Sequence, residues 1–372
     1  MEGTLPGMVM DSMPHRVMAY CHRLISLGGN LISFKLVHPS NTKPPILVTV
    51  SGILTETISE CPLNKSSKRI ETFIVLDKFT DAAGLPNFLF DHFQYIKTNA
   101  SLEVPVSNHY DQYPLLIFSH GLGTTPFIYT SLLEELASNG FIIVAIDHTY
   151  STMATTFPDD KVTGFDADDE TFSYEELKQL EETWVKDVKF VLNEMEHRNT
   201  NDGMFAQKID LTKIGTFGHS FGGATAYQSC YEDDRIKAAV NIDGSIYNIS
   251  TRLSKEEKSL MLLASDEYAN AIFEDSQAVE DLESYRFFRD VITKEGLFIS
   301  IDGTKHYNFS DLPLMSPLVK MMGMVGDIEG VRGLEITNSY LLAFFQDRLG
   351  IQDGSLQHLK EKFPEVIYHT LQ

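Results

Sequence analysis

The amino-acid sequence predicts an α/β fold with a mostly parallel central sheet and helices on both of its faces. Short, almost entirely apolar runs alternate with longer amphipathic segments, which is typical of βαβ units. The runs lack the apolar–polar alternation of one-sided strands, so we expect them to be buried on both faces, as in a covered parallel sheet. One run, residues 214–217, leads into a glycine-flanked serine and then into small residues that can begin a helix.

The individual elements follow in chain order from the same patterns. Helices are predicted at 129–139, where the leucines share one face, and at 339–348. Ser173-Tyr-Glu-Glu176 is a capping box, which begins a further, longer helix. The predicted strands are 46–50 and 70–76 ahead of the core, and 115–119, 141–146, 214–217, 238–242, 260–264 and 297–301 within it.

The glycine-flanked serine has the form G-x-S-x-G, spelled Gly218-His-Ser-Phe-Gly222. Between a strand and a helix, this motif predicts the nucleophile elbow of the α/β-hydrolase fold. The turn is tight, so the residues beside the serine must be small, and Gly218 and Gly222 meet that need. Ser220 is therefore the candidate nucleophile.

Composition and charge restrict the domain organisation and the possible partners of the protein. The chain has 372 residues, of which 43% are hydrophobic and 22% charged, enough for a large folded core. We expect residues 1–45 to form an N-terminal extension whose order the sequence leaves open. Residues 46–372 are expected to form a single α/β-hydrolase catalytic domain with its core at about 113–349. The net charge of −22 argues against nucleic acid or an anionic membrane as a partner.

Cysteines, cofactors and targeting signals add little. Cys21, Cys61 and Cys230 are too few and too scattered for a disulfide framework or a zinc site, and we expect neither a metal nor a cofactor. No run reaches the roughly 18 apolar residues that a membrane-spanning helix needs. No signal peptide is visible, which favours a cytoplasmic location. The oligomeric state is left open.

A serine hydroxyl needs a base to take its proton and an acid to orient that base. In this fold the chain order is serine, acid, histidine. His306 follows the last predicted core strand and is the expected base. His219 is next to Ser220 and cannot reach back to its hydroxyl, while His358 and His369 lie in the C-terminal tail.

Two carboxylates compete for the role of the acid. Asp243 ends the predicted strand 238–242, and Asp266 ends the next strand, 260–264. Both lie at the carboxyl edge of the sheet, where ligands bind. The commoner hydrolase arrangement favours Asp266, but spacing alone leaves both open.

The developing oxyanion needs two backbone N–H donors. One is expected from Phe221, directly after the nucleophile, and the other from Leu122 in the loop His120-Gly121-Leu122-Gly123. His120 is expected to pack or hydrogen-bond behind this loop, without a catalytic role.

Two other segments have competing interpretations. Residues 312–324 are rich in leucine and methionine, and we favour helix packing against the core over an acyl pocket or a lipid-contacting rim. The acidic stretch 157–169 lacks the spacing of a calcium loop and is interpreted as a solvated loop.

Four motifs together resemble a known family. They are Phe118-Ser-His-Gly-Leu-Gly123, Gly218-His-Ser-Phe-Gly-Gly-Ala-Thr225, Asn241-Ile-Asp243 and Gly303-Thr-Lys-His-Tyr-Asn-Phe-Ser-Asp311. In order and spacing they resemble the platelet-activating-factor acetylhydrolases of the plasma, or isoform II, type, over about 113–349.

The resemblance implies a role for each carboxylate and a substrate class. It implies that Asp243 is the acid and that Asp266 lies in a non-catalytic stretch. It further implies a calcium-independent serine carboxylic-ester hydrolase that removes short or oxidised sn-2 acyl groups from phospholipids. The alternatives are a generalist short-chain or polyester-cleaving esterase and, from another class, a catalytically inactive binding protein.

Overall fold

The computed structural model describes most of the chain from residue 105 onward. Earlier in the chain it describes residues 23–25, 34–36, 47–51, 86 and 88. The described region 105–369 has gaps at 157–161, 166–171, 202, 249–257, 275–286, 289–291, 293–295 and 353–354.

One large sheet organises the molecule. Its order is β12-β11-β10-β9-β8-β4-β5-β3-β1-β2, and the six strands from β11 to β5 are parallel to one another. A two-stranded antiparallel sheet, β6 with β7, lies apart from it. The strands are β1 (Arg23–Ile25), β2 (Phe34–Leu36), β3 (Leu47–Ser51), β4 (Tyr113–Ser119), β5 (Ile142–Asp147), β6 (Ala154–Thr156), β7 (Val162–Gly164), β8 (Ile209–His219), β9 (Ile236–Ile242), β10 (Ser259–Ser265), β11 (Leu297–Ile301) and β12 (Val366–Tyr368).

Helices connect these strands and cover them. Two 3₁₀ turns, Pro126–Tyr129 and His306–Phe309, precede the first helix and follow β11. The helices of the described residues are α1 (Thr130–Ser138), α2 (Tyr174–Asn201), α3 (Phe221–Glu232), α4 (Asp266–Glu274), α5 (Leu312–Met315), α6 (Leu318–Met321), α7 (Gly330–Arg348) and α8 (Ser355–Lys362).

The core lies on both faces of the sheet. Leu116 and Phe118 of β4 join a cluster that includes residues of α1 and α7. Leu115 and Ile117, the alternate residues of the same strand, join a second cluster with residues of α2 and α3. All seven residues of β4 are buried, which is why its sequence shows no apolar–polar alternation. The predicted α/β architecture with helices on both faces is confirmed.

Some predicted elements are longer than their sequence signals. The elbow strand extends back to Ile209, and the last long helix begins at Gly330 rather than at residue 339. The sequence signal for the first turns of this helix is weak, because Gly330 and Gly333 have low helix propensity. The Glu329 carboxylate nevertheless caps the helix by accepting the N–H groups of Val331 and Arg332.

The interpretation of 157–169 as a loop was wrong in part, because Val162–Gly164 pairs with Ala154–Thr156 as a hairpin. The aspartates of this stretch lie outside the described residues, as do the predicted strand 70–76, Cys21 and Cys61. The capping box is confirmed: the Ser173 N–H donates to the Glu176 carboxylate at 2.8 Å, and the Glu176 N–H donates to Ser173 Oγ at 3.3 Å.

The N-terminal region contributes strands to the main sheet. Two of them, β1 and β2, fall within the predicted extension 1–45, and β1 pairs in parallel with β3. The domain boundary near residue 45 stays a prediction.

The strand order creates a switch point beside β4. The chain leaves β4 for β5 on one side and later returns to β8 on the other. In open α/β sheets, ligands bind at such a point, at the carboxyl ends of the strands. The loop after β4, the elbow after β8 and the residues that follow β9 and β11 all leave the sheet at this edge.

Candidate active site

Ser220 occupies a strained turn between β8 and α3. Its φ of 56° and ψ of −125° lie outside the regions that non-glycine residues normally adopt. The Ser220 N–H donates to the Ile242 carbonyl at 2.8 Å, and the Ser220 carbonyl accepts from the Gly223 N–H at 2.8 Å. Such strain persists only where surrounding contacts hold the backbone, and it is common at functional sites.

Two glycines allow the elbow to pack against backbone. A Cβ added to Gly218 would collide with the Gly222 carbonyl, and one added to Gly222 would collide with the carbonyl oxygens of Ser119 and His120. The turn therefore presses directly on the end of β4 and on the loop that follows it. A partly exposed Ser220 lies at this junction.

Asp243 and His306 form a direct pair. His306 Nδ1 lies 2.7 Å from Asp243 Oδ2, with 38% of the histidine side chain and 2% of the aspartate side chain exposed. A carboxylate oxygen accepts, so Nδ1 carries the proton and Nε2 is left free to accept another.

The Asp243 carboxylate is itself held by backbone groups. The Ser265 N–H donates to Asp243 Oδ1 at 2.6 Å, and the Asp243 N–H donates to the Leu263 carbonyl at 2.9 Å. The φ of Asp243, at 54°, is also positive. The Asn241 side chain brackets the turn through two 2.8 Å hydrogen bonds to the Gly244 backbone. These contacts aim Oδ2 at His306.

Asp266 lies elsewhere. It begins α4, and its carboxylate accepts a 3.2 Å hydrogen bond from Asn270 on the same helix. Of the two acids that spacing left open, the structure therefore brings Asp243, and not Asp266, to His306.

His219 links the elbow to the turn that carries His306. Its Nε2–H donates to the His306 carbonyl at 2.9 Å, and its Nδ1 accepts from the Tyr129 hydroxyl at 2.8 Å. The two imidazole centroids are 4.4 Å apart. The expected base thus stands beside the residue that precedes Ser220.

The loop after β4 forms a turn against the elbow. The Thr124 N–H donates to the Gly121 carbonyl at 2.9 Å, and Gly123, with φ of 70°, occupies a turn position that favours glycine. The Gly123 N–H donates to the Ser151 carbonyl at 2.9 Å, so it is not available to a substrate. Among the described residues, the Leu122 N–H has no acceptor.

Phe221, the second expected donor, is the first residue of α3. The amides of a first helical turn have no partner within the helix, and the helix dipole favours negative charge there. A Cβ built on Gly121 would lie 3.4 Å from Ser220 Cβ, so the loop and the elbow are neighbours.

Sequence reasoning missed a buried aromatic cluster behind the loop. The ring of His148, directly after β5, stacks on Trp184 of α2 with centroids 3.8 Å apart and planes 7° apart. Trp184 also makes edge contacts with His120 at 5.1 Å and with Phe221 at 4.8 Å. These residues come from four separate segments, and no local pattern in the sequence connects them.

Burial keeps three imidazoles near the site unprotonated, those of His120, His148 and His219. It lowers the pKa of His120 to about 3, with a smaller contribution from His148. Burial also holds the pKa values of His148 and His219 well below their ordinary range. The three side chains are therefore neutral hydrogen-bonding groups near pH 7.

The Leu- and Met-rich segment divides between core and surface. Leu312, Met315 and Val319 are buried in the core. By contrast, Leu314 is 49% exposed and Met321 is 81% exposed. The predicted packing against the core therefore holds for part of the segment, while lipid contact by the exposed side chains stays a prediction. Within the described residues, no helix combines the length and the apolar character that crossing a bilayer requires.

A solved structure shares this architecture. A ferulic acid esterase from Streptomyces cinnamoneus matches with a TM-score of 0.65 and 21% identity, covering 98% of this chain and 100% of that chain. At this identity the likeness concerns the fold alone, and it confirms the predicted α/β-hydrolase fold.

Curated relatives are more similar in sequence. The platelet-activating factor acetylhydrolase of Cavia porcellus is 28% identical over 268 residues, covering 65% of this chain and 58% of the relative. That of Canis lupus familiaris is 29% identical over 272 residues, with 65% and 58% covered. The probable 1-alkyl-2-acetylglycerophosphocholine esterase of Arthroderma benhamiae is 28% identical over 275 residues, with 68% and 66% covered. The chain thus spans less than two thirds of the length of these relatives.

A family model covers most of the chain. The model described as platelet-activating factor acetylhydrolase, isoform II, matches residues 82–201 and 197–362. This range contains the elbow, the loop after β4, and both Asp243 and His306. The chain belongs to the platelet-activating factor acetylhydrolase, isoform II, family of carboxylic ester hydrolases.

Proposed function

We propose that this protein is a serine esterase that removes short or oxidised sn-2 acyl groups from phospholipids. The observation that carries the proposal is the buried Asp243 carboxylate bound to His306 beside a strained serine elbow. Strained backbone is common at functional sites, and acyl transfer by a serine uses a histidine that a carboxylate orients. The substrate class rests on family membership and on the names of the relatives.

In the proposed mechanism, His306 Nε2 takes the proton of the Ser220 hydroxyl as its oxygen attacks the ester carbonyl. The Leu122 and Phe221 N–H groups donate to the oxyanion, and Asp243 stabilises the imidazolium. The tetrahedral intermediate expels the lysophospholipid alkoxide, which takes the proton from His306. Water then attacks the acyl-enzyme with His306 again as the base, and the carboxylic acid leaves with Ser220 restored.

A hydrolysis panel tests the proposed substrate class. The substrates are p-nitrophenyl acetate, a phosphatidylcholine with an sn-2 acetyl group and one with a long sn-2 chain. We expect the acetyl phospholipid to be cleaved with a much higher kcat/KM than the long-chain one. Equal cleavage of all three esters would favour the generalist esterase instead.

Ser220→Ala tests the mechanism in the same panel. We expect a loss of about 10⁵ to 10⁶ in kcat, because the nucleophile is removed. Ser229→Ala, at a buried serine of α3, the helix that follows Ser220, is the matched control and should keep wild-type rates. Failure of a fluorophosphonate to label the folded wild-type protein would instead indicate a catalytically inactive binding protein.

A further inference from the structure

The carbonyl oxygen of Gly121 is held by three donors. His120 Nδ1 lies 2.7 Å from it, Thr124 Oγ1 lies 2.7 Å from it, and the Thr124 N–H donates to it at 2.9 Å. All three groups are buried. Three donors on one loop carbonyl are more than a turn needs, since the Thr124 N–H alone closes it.

The same peptide unit supplies the N–H of Leu122. A trans peptide is planar, so its carbonyl and its N–H point in opposite directions. Because His120 and Thr124 hold the Gly121 carbonyl toward themselves, the Leu122 N–H is fixed in the opposite direction, away from these two residues. Oxyanion stabilisation depends on donors that are aimed before the charge develops.

His120 is held in the tautomer that donates from Nδ1 to the Gly121 carbonyl. The His148 N–H donates to His120 Nε2 at 3.2 Å, so Nε2 carries no hydrogen and Nδ1 is the donor. The Asp147 carboxylate lies 3.6 Å from Nε2, which is beyond hydrogen-bond distance. Burial keeps the ring neutral, as noted above, so the arrangement needs no charge.

His148, which fixes His120, is itself held on both ring nitrogens. Its Nε2 lies 3.0 Å from Ser119 Oγ and its Nδ1 lies 3.1 Å from Asp187 Oδ2. The three side chains repeat the contacts of a catalytic triad, with the histidine between a serine and a carboxylate. Ser119 and His148 are, however, only 2% and 1% exposed, so no substrate reaches them. Their role is to hold the backbone that orients His120.

We propose that His120 is a positioning residue for the oxyanion hole, acting through the Gly121 carbonyl to aim the Leu122 N–H, with Thr124 as a second, weaker support. This inference rests on the proposed function, because it needs Leu122 as an oxyanion donor. His120 does not touch the reacting atoms.

Two substitutions at His120 distinguish loss of its hydrogen-bond donor from loss of its imidazole ring. Asparagine places an amide N–H at the position of Nδ1, so His120→Asn keeps the donor to the Gly121 carbonyl. Glutamine places its amide near Nε2, so His120→Gln loses that donor while keeping a polar side chain. Thr124→Val removes the hydroxyl donor at nearly constant volume. Thr152→Val is the matched control, because the buried Thr152 hydroxyl donates to the Thr124 carbonyl at 2.8 Å and not to Gly121.

The measurements are kcat and KM for p-nitrophenyl acetate and for its thiono analogue, in which sulfur replaces the carbonyl oxygen. Sulfur is a poor hydrogen-bond acceptor, so an intact oxyanion hole favours the oxygen ester. Loss of a whole oxyanion donor lowers kcat about 10²- to 10³-fold, so a misaimed donor in His120→Gln should lower it about tenfold. KM should stay nearly constant, and the oxygen-to-sulfur preference should fall by about the same factor.

His120→Asn should recover most of the kcat and most of the oxygen-to-sulfur preference. Thr124→Val should lower both quantities by a smaller factor, and Thr152→Val should change neither. The inference is overturned if His120→Gln lowers activity with an unchanged oxygen-to-sulfur preference, or if Asn and Gln are equally impaired. If His120→Gln does not fold, Thr124→Val is compared with Thr152→Val instead. Equal oxygen-to-sulfur preferences in these two variants would then overturn the inference. Failure of the proposed serine mechanism is distinct, because wild type would then hydrolyse neither ester and resist fluorophosphonate. Failure of the proposed substrate class alone is distinct as well, because a generalist esterase would still hydrolyse p-nitrophenyl acetate and the comparison of variants would stand.

Discussion

At the scale of single residues, backbone strain marks the candidate site. Among the described residues, four that are not glycine have a positive φ, and Ser220 and Asp243 are two of them. Both donate a backbone hydrogen bond to a neighbouring strand: the Ser220 N–H to the Ile242 carbonyl and the Asp243 N–H to the Leu263 carbonyl. Strain at both residues is expected where side-chain direction matters more than local backbone energy.

The two aspartates provide a residue-scale test. We expect Asp243→Asn to lower kcat/KM for p-nitrophenyl acetate about 10⁴-fold, because the amide favours the wrong tautomer of His306. Asp266→Asn should change it less than about threefold, since the hydrogen bonds of Asp266 among the described residues lie within α4 and to the loop after β11. A larger defect in Asp266→Asn than in Asp243→Asn would contradict the proposed assignment.

At the scale of elements, Asp311 joins the segment after His306 to the start of α1. Its Oδ2 accepts from the Ser131 N–H at 3.1 Å, and its Oδ1 accepts from the Ser131 hydroxyl. The Asp311 N–H donates to the Ile128 carbonyl at 2.6 Å. Burial raises the pKa of Asp311 to about 6, opposed by the Ser131 hydrogen bonds and assisted by Glu134.

This raised pKa predicts a pH-dependent stability. The folded state binds the Asp311 proton more tightly than the unfolded state, so its contribution to stability falls as pH rises toward 6 and then levels off. Relative to Asp311→Asn, wild type should lose about 1 to 1.5 kcal/mol of unfolding free energy between about pH 5 and about pH 8. Urea unfolding of both proteins across this range measures the difference. A wild type that gains on the variant as pH rises would show that the ionised form is the stabilising one.

At the scale of the whole molecule, the strongly negative net charge would oppose an approach to an anionic lipid surface. The chain carries 52 acidic and 30 basic residues, a net charge of −22. Exposed apolar side chains, including Leu314, Met321 and Met322, follow the turn that carries His306. Contact through these side chains would have to overcome repulsion from an anionic surface.

Vesicle composition tests this balance. We expect hydrolysis of a short-acyl phospholipid in phosphatidylcholine vesicles to slow several-fold when phosphatidylserine is added. Raising the salt should reduce the difference, because the Debye length shortens from about 8 Å at 0.15 M to about 3 Å at 1 M. Hydrolysis of p-nitrophenyl acetate in the same mixtures is the control and should not change. Faster hydrolysis in anionic vesicles would indicate a local basic surface that dominates the net charge.

Local physics explains how far the sequence could be followed. The buried strands, the capping box at Ser173 and the elbow at Ser220 each depend on periodicity or turn sterics within about a dozen residues. Where local propensity was weak, as at the glycines of α7, the predicted boundary was wrong because tertiary packing and the Glu329 cap overrode it. The hairpin at Val162–Gly164 was missed for a similar reason, since pairing between short strands leaves little periodic signal.

The sequence by itself therefore determined the fold class, the serine elbow and the histidine after the last parallel strand, because each is encoded by neighbours along the chain. Spacing left two carboxylates open and the family resemblance favoured Asp243, but only the tertiary structure brings its carboxylate to His306 and shows which groups hold the Gly121 carbonyl. Asp243 and His306 are 63 positions apart, and Trp184 reaches His120 from another helix. Such contacts depend on strand order and on the packing of both faces, which no local pattern of residues records.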